Sequence, residues 1–465
     1  MSVLSRYYFV FLIAYKFIFC ALKTTKIRPG KGGLFISALL VIFAFVILVF
    51  DDNLLAIDVD ALIFGSFVLL FVLVGPWLVQ KIYRHPCGIL TNTMFFLLAL
   101  GFIMLQRLNP DLALRQFIFA LAGLAVSLLI PLLLGIFRSF ERGEKLYILL
   151  CLGLVGVVSA ADILASLTGI PLVAVDEFGA TRWLSVAGFS FQSSEFAKPI
   201  FAIYLACAFR THPTPRRLIF MGASSAALIG LLVLQRDLGS ALIFFTIFMV
   251  IFYSSVGSKI LVAAGLAAMS AASVAAYQLF PHLRVRVAAW ANPWPLINDQ
   301  GFQITQSLFA IGTWGAFGAG LGRGLPDRIP VVERDVIFAA ITEEFGWLFA
   351  LFLIGLYALF LLRGLIIARQ SKRPLYALMA LSFSAFLAFQ AFVAIGGNIK
   401  LIPMTGITLP FLSYGGSSVF VSIIMIGILN WLNSQINPGI EEAEAHVSLV
   451  LDLSENINNN DKGDN

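Results

Sequence analysis

Residues 117–137 read FIFALAGLAVSLLIPLLLGIF and contain no charged side chain. At a rise of about 1.5 Å per residue, a helix of this length crosses the hydrocarbon core of a bilayer, which is about 30 Å thick. A strand of a membrane β-barrel would instead alternate polar and apolar side chains over about ten residues. The stretch therefore predicts a transmembrane helix that is apolar on every face.

Similar apolar stretches recur along nearly the whole chain. Of the 465 residues, 60% are hydrophobic and 12% are charged, and the mean hydropathy is +0.94. A soluble domain carries about twice that share of charged residues, so this composition excludes one. The fold prediction is an all-α polytopic membrane protein with thirteen helices, at residues 7–22, 33–50, 61–80, 89–106, 112–137, 145–166, 194–210, 218–234, 237–256, 258–280, 336–367, 374–397 and 413–432.

Basic and acidic residues fall in alternate loops. The loop after the first predicted helix holds four basic residues between Lys23 and Lys31, whereas the next holds four aspartates between Asp51 and Asp60. By the positive-inside rule the former loop is cytoplasmic. This places the N-terminus outside, the C-terminus in the cytoplasm, and two long segments, residues 167–193 and 281–335, on the outer face. Membrane orientation also explains the net charge of +6, so nucleic acid is not a predicted partner.

Glu195 and Lys198 begin the helix that follows the first outer segment. Their i, i+3 spacing places them on one helix face, where a carboxylate and an ammonium group can pair inside the membrane. The pair either joins two helices or forms one wall of a polar cavity. Arg182 and Trp183, just before it, either meet the lipid headgroups at the interface or belong to the same cavity.

Two further polar blocks lie near the outer face. The sequence QRDLGS at residues 235–240 is wedged between two apolar stretches, so Asp237 requires a neighbouring arginine or a backbone partner. Residues 281–335 carry Arg284 and Arg286, followed by a glycine-rich stretch. Irregular backbone of that length usually builds a functional site.

The last two blocks lie towards the C-terminus. In residues 335–346, Glu343 and Glu344 are adjacent and point about 100° apart on a helix, so at least one is expected to be structural. Residues 397–418 interrupt the helix pattern with glycines, prolines and hydroxyl groups. Irregular backbone at membrane depth is tolerated where protein buries it or where it lines a cavity. A polar cavity is therefore predicted.

Taken together, these blocks resemble the FtsW/RodA/SpoVE family of shape, elongation, division and sporulation (SEDS) proteins. Mild departures from the family patterns are Ser193, Ser240, Phe302 and Val336. The family patterns GAxRW…QPSEFAK, QxDxGT, GYQxxQS, DFIFAxxxEExG and PxTGxxLPFxSYGGSS are similar to residues 179–198, 235–240, 301–307, 335–346 and 403–418, the last without a break.

The resemblance covers residues 89–432, which hold ten predicted helices, the number of the SEDS core. It leaves an N-terminal extension with about three helices at residues 1–88. Residues 433–465 form an acidic tail that is predicted to be disordered and cytoplasmic.

The family implies an inverting glycosyltransferase of the bacterial cytoplasmic membrane. Such an enzyme polymerises lipid II into glycan strands on the outer face, for cell elongation and shape or for division, and releases undecaprenyl diphosphate. A class B penicillin-binding protein is the implied partner. The chemistry requires a base for the acceptor hydroxyl and cations for the leaving diphosphate.

The family's base is an aspartate about seven residues before the glutamine of GYQ, a position that is Leu296 here. Asp299 is the nearest carboxylate and is the predicted base, with Asp335, Glu343 and Glu195 as reserves. Arg182, Arg284, Arg286 and Lys198 are the candidates for binding diphosphate, and a divalent cation, magnesium or manganese, is an optional aid. The full set of predicted substrate-binding residues is Arg182, Trp183, Glu195, Lys198, Arg284, Arg286, Gln303, Gln306, Ser307, Asp335, Glu343, Ser413, Tyr414 and Ser417.

Two other functions fit the same motifs. A lipid II flippase would use the polar cavity to move the headgroup, although transporters tend to place their site between inverted repeats, and the sequence shows none. A non-catalytic scaffold for the penicillin-binding protein would explain Leu296. The position of the polar blocks in long outer segments favours the enzyme.

Overall fold

The computed structural model of the protein describes residues 31–49, 58–83, 85–136, 143–168, 183–186, 189–211 and 213–436. The predicted helix at residues 7–22, Arg182 and the tail beyond residue 436 lie outside the described residues. In chain order the helices are α1 (Lys31–Val49), α2 (Val59–Ile82), α3 (Gly88–Leu108), α4 (Pro110–Ile136), α5 (Glu144–Thr168), α6 (Ser193–Phe209), α7 (Pro215–Leu234), α8 (Leu238–Val256), α9 (Lys259–Leu279), α10 (Pro281–Ala291), α11 (Phe302–Thr313), α12 (Ile337–Phe345), α13 (Trp347–Gln370), α14 (Pro374–Asn398) and α15 (Gly416–Ile436). Strands β1 (Trp183–Val186) and β2 (Phe189–Gln192) pair in antiparallel fashion, with Trp183 opposite Gln192.

The described helices confirm an all-α membrane fold. Ten of them are long and apolar enough to cross a membrane: α2 to α5, α7 to α9 and α13 to α15. Helix α1 contributes a shorter apolar stretch, Ile36–Val49, and α6 has 17 residues. Helix α3 lies at the centre and is almost entirely buried, whereas α9 contains no buried residue.

Polar side chains fix where several helices begin. Asp58 caps α2 by accepting a hydrogen bond from the Ala61 backbone N–H at 3.0 Å. Asp237 caps α8 by accepting one from the Ser240 backbone N–H at 3.2 Å. Each cap satisfies a backbone donor that the first turn of a helix leaves free, so the helix starts at a defined residue.

The predicted helix at residues 336–367 is wrong in one respect, because it is two helices. The chain breaks at Gly346, where φ is 86° and ψ is 165°, a conformation that only glycine adopts readily. A Cβ atom on Gly346 would collide with the carbonyl oxygen of Ala316. The break separates the short helix α12 from the membrane span α13.

The long segment predicted as irregular backbone at residues 281–335 is partly helical. It contains α10, α11 and two short 3-10 turns, Trp294–Leu296 and Pro326–Arg328. The end of the other predicted outer segment, residues 167–193, forms the β1–β2 hairpin and the first residue of α6. These short elements satisfy backbone groups that an irregular segment would leave unpaired.

The two long segments meet at one end of the helix bundle, which we name the loop end. The backbone N–H of Gln192 donates to Ser417 Oγ at 3.3 Å, and that of Tyr414 donates to the Glu333 carbonyl at 2.7 Å. At the opposite end, Asn433 Nδ2 donates to the carbonyl of His85 at 2.8 Å. The hairpin, the 281–346 segment and the 399–415 segment therefore share one end.

Helices α1 and α2 pack against the start of the remaining bundle. The Phe71 ring lies 5.2 Å from Phe95 of α3 and 5.5 Å from Phe117 of α4, measured between ring centroids. Phe64 lies 5.7 Å from Phe117. The hydroxyl of Tyr83 also donates to the carbonyl of Ser127 at 2.5 Å. Phe45 of α1 lies 6.1 Å from Phe64. An aromatic cluster thus joins α1 and α2 to α3 and α4.

Candidate active site at the loop end

A buried polar network centres on Lys198 in α6. Its Nζ donates to Glu195 Oε1 at 2.6 Å and to Gln390 Oε1 of α14 at 2.7 Å. The Lys198 and Glu195 side chains are only 1% and 5% exposed. Gln390 Nε2 in turn donates to the carbonyl of Thr408 at 2.9 Å and to Ser418 Oγ at 3.2 Å. The pair predicted from spacing is formed, and Gln390 links it to the 403–418 segment.

Asp237 forms a second buried contact between elements. Its Oδ2 accepts from Ser194 Oγ at 3.0 Å and from Gln192 Nε2 at 3.5 Å. Its Oδ1 accepts from the backbone of Ser240, as described above. The carboxylate therefore holds the beginning of α6 against the beginning of α8, and it has the backbone partner that the sequence required.

The 403–418 segment is fixed by a glutamine from α4. Gln116 Nε2 donates to the carbonyl of Ser413 at 3.0 Å, and the Gly415 backbone N–H donates to Gln116 Oε1 at 2.9 Å. Ser413 Oγ accepts from the Leu409 backbone N–H at 2.8 Å. Two of the predicted substrate-binding hydroxyls thus accept hydrogen bonds from the backbone: Ser413 from Leu409 in the same segment, and Ser417 from Gln192 of β2.

Residues 330–335, which we name the 330–335 turn, are bound by three separate elements. Gln303 Nε2 of α11 donates to the carbonyl of Pro330 at 2.9 Å. Asn398 Nδ2 of α14 donates to the carbonyl of Asp335 at 2.8 Å, and the Tyr414 backbone binds Glu333. Ser307 Oγ extends this set by donating to the carbonyl of Asn398 at 3.0 Å. The predicted residues Gln303, Ser307, Asp335 and Tyr414 are therefore brought together.

Glu343 and Glu344 lie under the glycine-rich stretch. Glu343 Oε1 accepts from the backbone N–H of Leu325 at 2.9 Å. The Glu344 carboxylate is fully buried, with Oε1 3.5 Å from Arg107 Nε. Burial raises the pKa of Glu344 to about 7, and the positive charge of Arg107 offsets part of that rise. Arg107 also lies 3.3 Å from Asp327 Oδ2, so it joins the end of α3 to the outer segment.

The remaining predicted residues lie at the rim of the loop end. Asp299 is exposed, in a turn where the Leu296 carbonyl accepts from the backbone N–H of Asp299 at 3.0 Å and of Gly301 at 2.9 Å. Arg284 is exposed, whereas Arg286 Nη1 donates to the carbonyl of Met404 at 3.4 Å. Gln306 is half-buried on α11, and Trp183 is described only as part of β1.

Sequence reasoning missed Arg107, Gln116 and Gln390, and it gave no separate role to Asn398, which lies in the 397–418 block. Each of these polar residues lies within or at the end of an apolar helix. The only signal that the sequence offers for them is a single polar residue in an otherwise apolar stretch. Within the described ranges no group of three or more His, Cys, Asp or Glu side chains could hold a metal ion. The optional divalent cation remains a prediction.

Comparisons with known proteins give one consistent result. The family model FtsW/RodA/SpoVE, described as cell cycle protein, matches residues 89–437. Peptidoglycan glycosyltransferase RodA of Mycobacterium tuberculosis is 33% identical over 374 residues, which cover 75% of this chain and 77% of the relative. The probable peptidoglycan glycosyltransferase FtsW of Thioalkalivibrio sulfidiphilus is 33% identical over 361 residues, 70% of this chain and 89% of the relative.

The fold is also similar to that of a chain solved in a study of the structural coordination of polymerization and crosslinking by a peptidoglycan synthase complex. The TM-score is 0.62 at 26% sequence identity, and the match covers 76% of this chain and 99% of the solved one.

Proposed function

Because this chain belongs to the FtsW/RodA/SpoVE family of cell cycle proteins, we propose that it is a peptidoglycan glycosyltransferase that polymerises lipid II. The observation that carries the proposal is the meeting of the family motifs at the loop end. The hairpin, the α7–α8 junction, the 330–335 turn and the 403–418 segment are joined there by side-chain and backbone hydrogen bonds. An enzyme needs such a set of polar groups on one side of the membrane, where its substrate headgroup lies.

The loop end is proposed to face outward. The short loop between α13 and α14 lies at the opposite end and contains Lys372 and Arg373. Basic residues concentrate in cytoplasmic loops, so that end is cytoplasmic under the positive-inside rule. The protein is a multi-pass membrane protein, and this orientation places the candidate site where lipid II is polymerised.

The proposed reaction transfers a glycosyl group with inversion. A base takes the proton of the acceptor sugar hydroxyl, the hydroxyl oxygen bonds to the anomeric carbon, and the bond from that carbon to the diphosphate oxygen breaks. The electron pair leaves with undecaprenyl diphosphate, whose negative charge nearby cations stabilise. A bound magnesium or manganese ion would add to that stabilisation.

Asp299 is the proposed base. The hydrogen bond between Asp299 and Leu296 closes a turn, so the two Cα atoms lie within about 7 Å. A carboxylate at residue 299 is therefore close to the position where the family carries its aspartate. The exposure of Asp299 leaves its carboxylate open to an acceptor hydroxyl.

A class B penicillin-binding protein is the proposed partner, a proposal that the similar chain from a peptidoglycan synthase complex supports. The test is an assay of labelled lipid II with the purified protein and that partner. We compare wild type with Asp299→Asn and Asp299→Ala, and use Asn298→Ala, an exposed neighbour in the same turn, as the control.

Glycan polymer from wild type and Asn298→Ala, but not from either Asp299 variant, is the expected result. Full activity of Asp299→Asn would assign the base to another residue. Absence of polymer from the wild-type complex would contradict the enzyme and favour a scaffold, which Leu296 suggests, or a flippase.

A further inference from the structure

The strained backbone of the 330–335 turn is the starting observation. Val331 has a φ of 55°, which is unusual for a β-branched residue. Such a conformation persists only where the surroundings impose it, and these outliers concentrate at functional sites. Here the constraint is visible, because Gln303, Tyr414 and Asn398 each donate a hydrogen bond to a carbonyl of the turn.

The turn holds Arg334 in one place. The Arg334 guanidinium lies 5.5 Å from the centroid of the Tyr414 ring, and the Tyr414 backbone N–H donates to the carbonyl of the preceding residue, Glu333, at 2.7 Å. Two contacts therefore position Arg334 relative to Tyr414: the contact between the cation and the ring, and the hydrogen bond between the two backbones. Arg334 itself is exposed at the loop end.

A cation–π contact of this kind is made by the charge of the guanidinium group and uses none of its hydrogen-bond donors. Its five N–H donors lie in the plane of the group and remain directed outward. An arginine held in this way has already lost side-chain freedom, so binding a second group costs less conformational entropy. Two parallel N–H donors match two oxygens of a phosphate.

Two of the cations predicted from the sequence are less available for this role. Lys198 is buried and paired with Glu195 and Gln390, and Arg286 already donates to the carbonyl of Met404. No carboxylate among the described residues lies within ion-pair distance of Arg334. Its charge therefore remains open to an anion from outside the chain.

We propose that Arg334, held beside the Tyr414 ring, binds the diphosphate of the lipid-linked substrate and of the released undecaprenyl diphosphate. This inference rests on the proposed function for the identity of the ligand. It adds a binding residue outside the set predicted from the motifs, and it assigns to Tyr414 the role of a platform for the arginine.

The experiment measures binding of undecaprenyl diphosphate to the full-length protein in nanodiscs. The variants are Arg334→Gln, Arg334→Lys and the control Arg328→Gln, which alters another exposed arginine of the loop end. We expect Arg334→Gln to weaken binding by about tenfold or more, since a bidentate charged contact is lost. Arg334→Lys is expected to recover only part of the affinity because an ammonium group lacks the planar pair of donors.

Undecaprenyl monophosphate and undecaprenol serve as comparison ligands. The loss in Arg334→Gln is expected to be largest for the diphosphate and absent for the uncharged alcohol. Equal loss for all three lipids would indicate a change of shape and would overturn the proposal, as would diphosphate binding equal to that of wild type.

Polymerisation assays on the same samples separate the two proposals. Wild-type polymerisation together with unchanged binding in Arg334→Gln would overturn the role of Arg334 and leave the proposed function intact. Absence of wild-type polymerisation together with Arg334-dependent diphosphate binding would overturn the proposed function and support the binding site.

Discussion

Glu195 and Lys198 illustrate the energetics of a charge pair that water does not reach. Taking either charge out of water is costly, and each is tolerated here because the other lies 2.6 Å away. Removing one member leaves an unpaired buried charge, whereas removing both leaves none. The loss of stability is therefore expected to be larger in a single variant than in the double variant.

We predict that Lys198→Met destabilises the protein by about 3–5 kcal/mol, because Glu195 is left buried without a cation. The double variant Glu195→Gln with Lys198→Met should recover more than half of that loss. Thermal unfolding in detergent measures both. A double variant as unstable as the single one would show that the pair does not control stability.

A second prediction concerns Glu344, whose pKa is raised by burial from 4.5 to about 7. Between these pH values the folded protein binds more protons at this residue than the unfolded chain does. The free energy of unfolding therefore falls as the pH rises through this window, by a contribution on the order of 3 kcal/mol that is complete above pH 7.

Glu344→Gln should remove this contribution, so the stability of wild type relative to the variant should decline from pH 5 to pH 8. Melting temperatures of both proteins at the two pH values test it. Asp327→Asn, which alters an exposed carboxylate near the same arginine, is the control and should not flatten the profile. A parallel decline in wild type and Glu344→Gln would rule out Glu344 as its cause.

Sequence spacing predicted contacts between near neighbours but not between distant ones. Glu195 and Lys198 are three residues apart, so helix geometry alone places them together. Gln116 reaches Ser413 and Gly415 across almost three hundred positions, and no local pattern encodes that approach. The motifs therefore identified which segments form the candidate site, and the packing of α4 and α14 determines how they are held.

At the scale of elements, Gly346 determines the direction of α12. The apolar pattern continues through residues 345–362, so hydropathy predicted a single helix across the break. The break depends instead on one glycine with φ of 86° and on the Ala316 carbonyl beside it. Helices were predictable because length and apolarity define them, whereas a break that needs one conformation of one residue was not.

We predict that Gly346→Ala destabilises the protein by about 1–3 kcal/mol and abolishes polymerisation, since a Cβ atom both strains the backbone and meets Ala316. Gly355→Ala in α13 is the matched control, because its added Cβ meets no atom within 4 Å. The control should be neutral or stabilised by up to about 1 kcal/mol. The melting temperatures of the two variants test this prediction. Equal effects of the two substitutions would contradict the proposal that the break at Gly346 requires glycine.

At the scale of the whole molecule, the distribution of charge predicts which end faces outward. Asn298 is exposed at the loop end, and Lys372 is exposed in the α13–α14 loop at the other end. In a variant without native cysteines, Asn298→Cys should react with a membrane-impermeant maleimide on intact spheroplasts. Lys372→Cys should react only after the membrane is permeabilised. The reverse pattern would invert the topology and place the candidate site in the cytoplasm.

The aromatic cluster that joins α1 and α2 to α3 and α4 has a consequence for how the chain is made. Synthesis runs from the N-terminus, so Phe64 and Phe71 enter the membrane before Phe95 and Phe117 exist. Lipid tails must cover these rings first and give way when the later helices arrive. The first two described helices are thus already in the membrane when α3, which has the largest buried share among the described spans, is inserted during translation and packs against them.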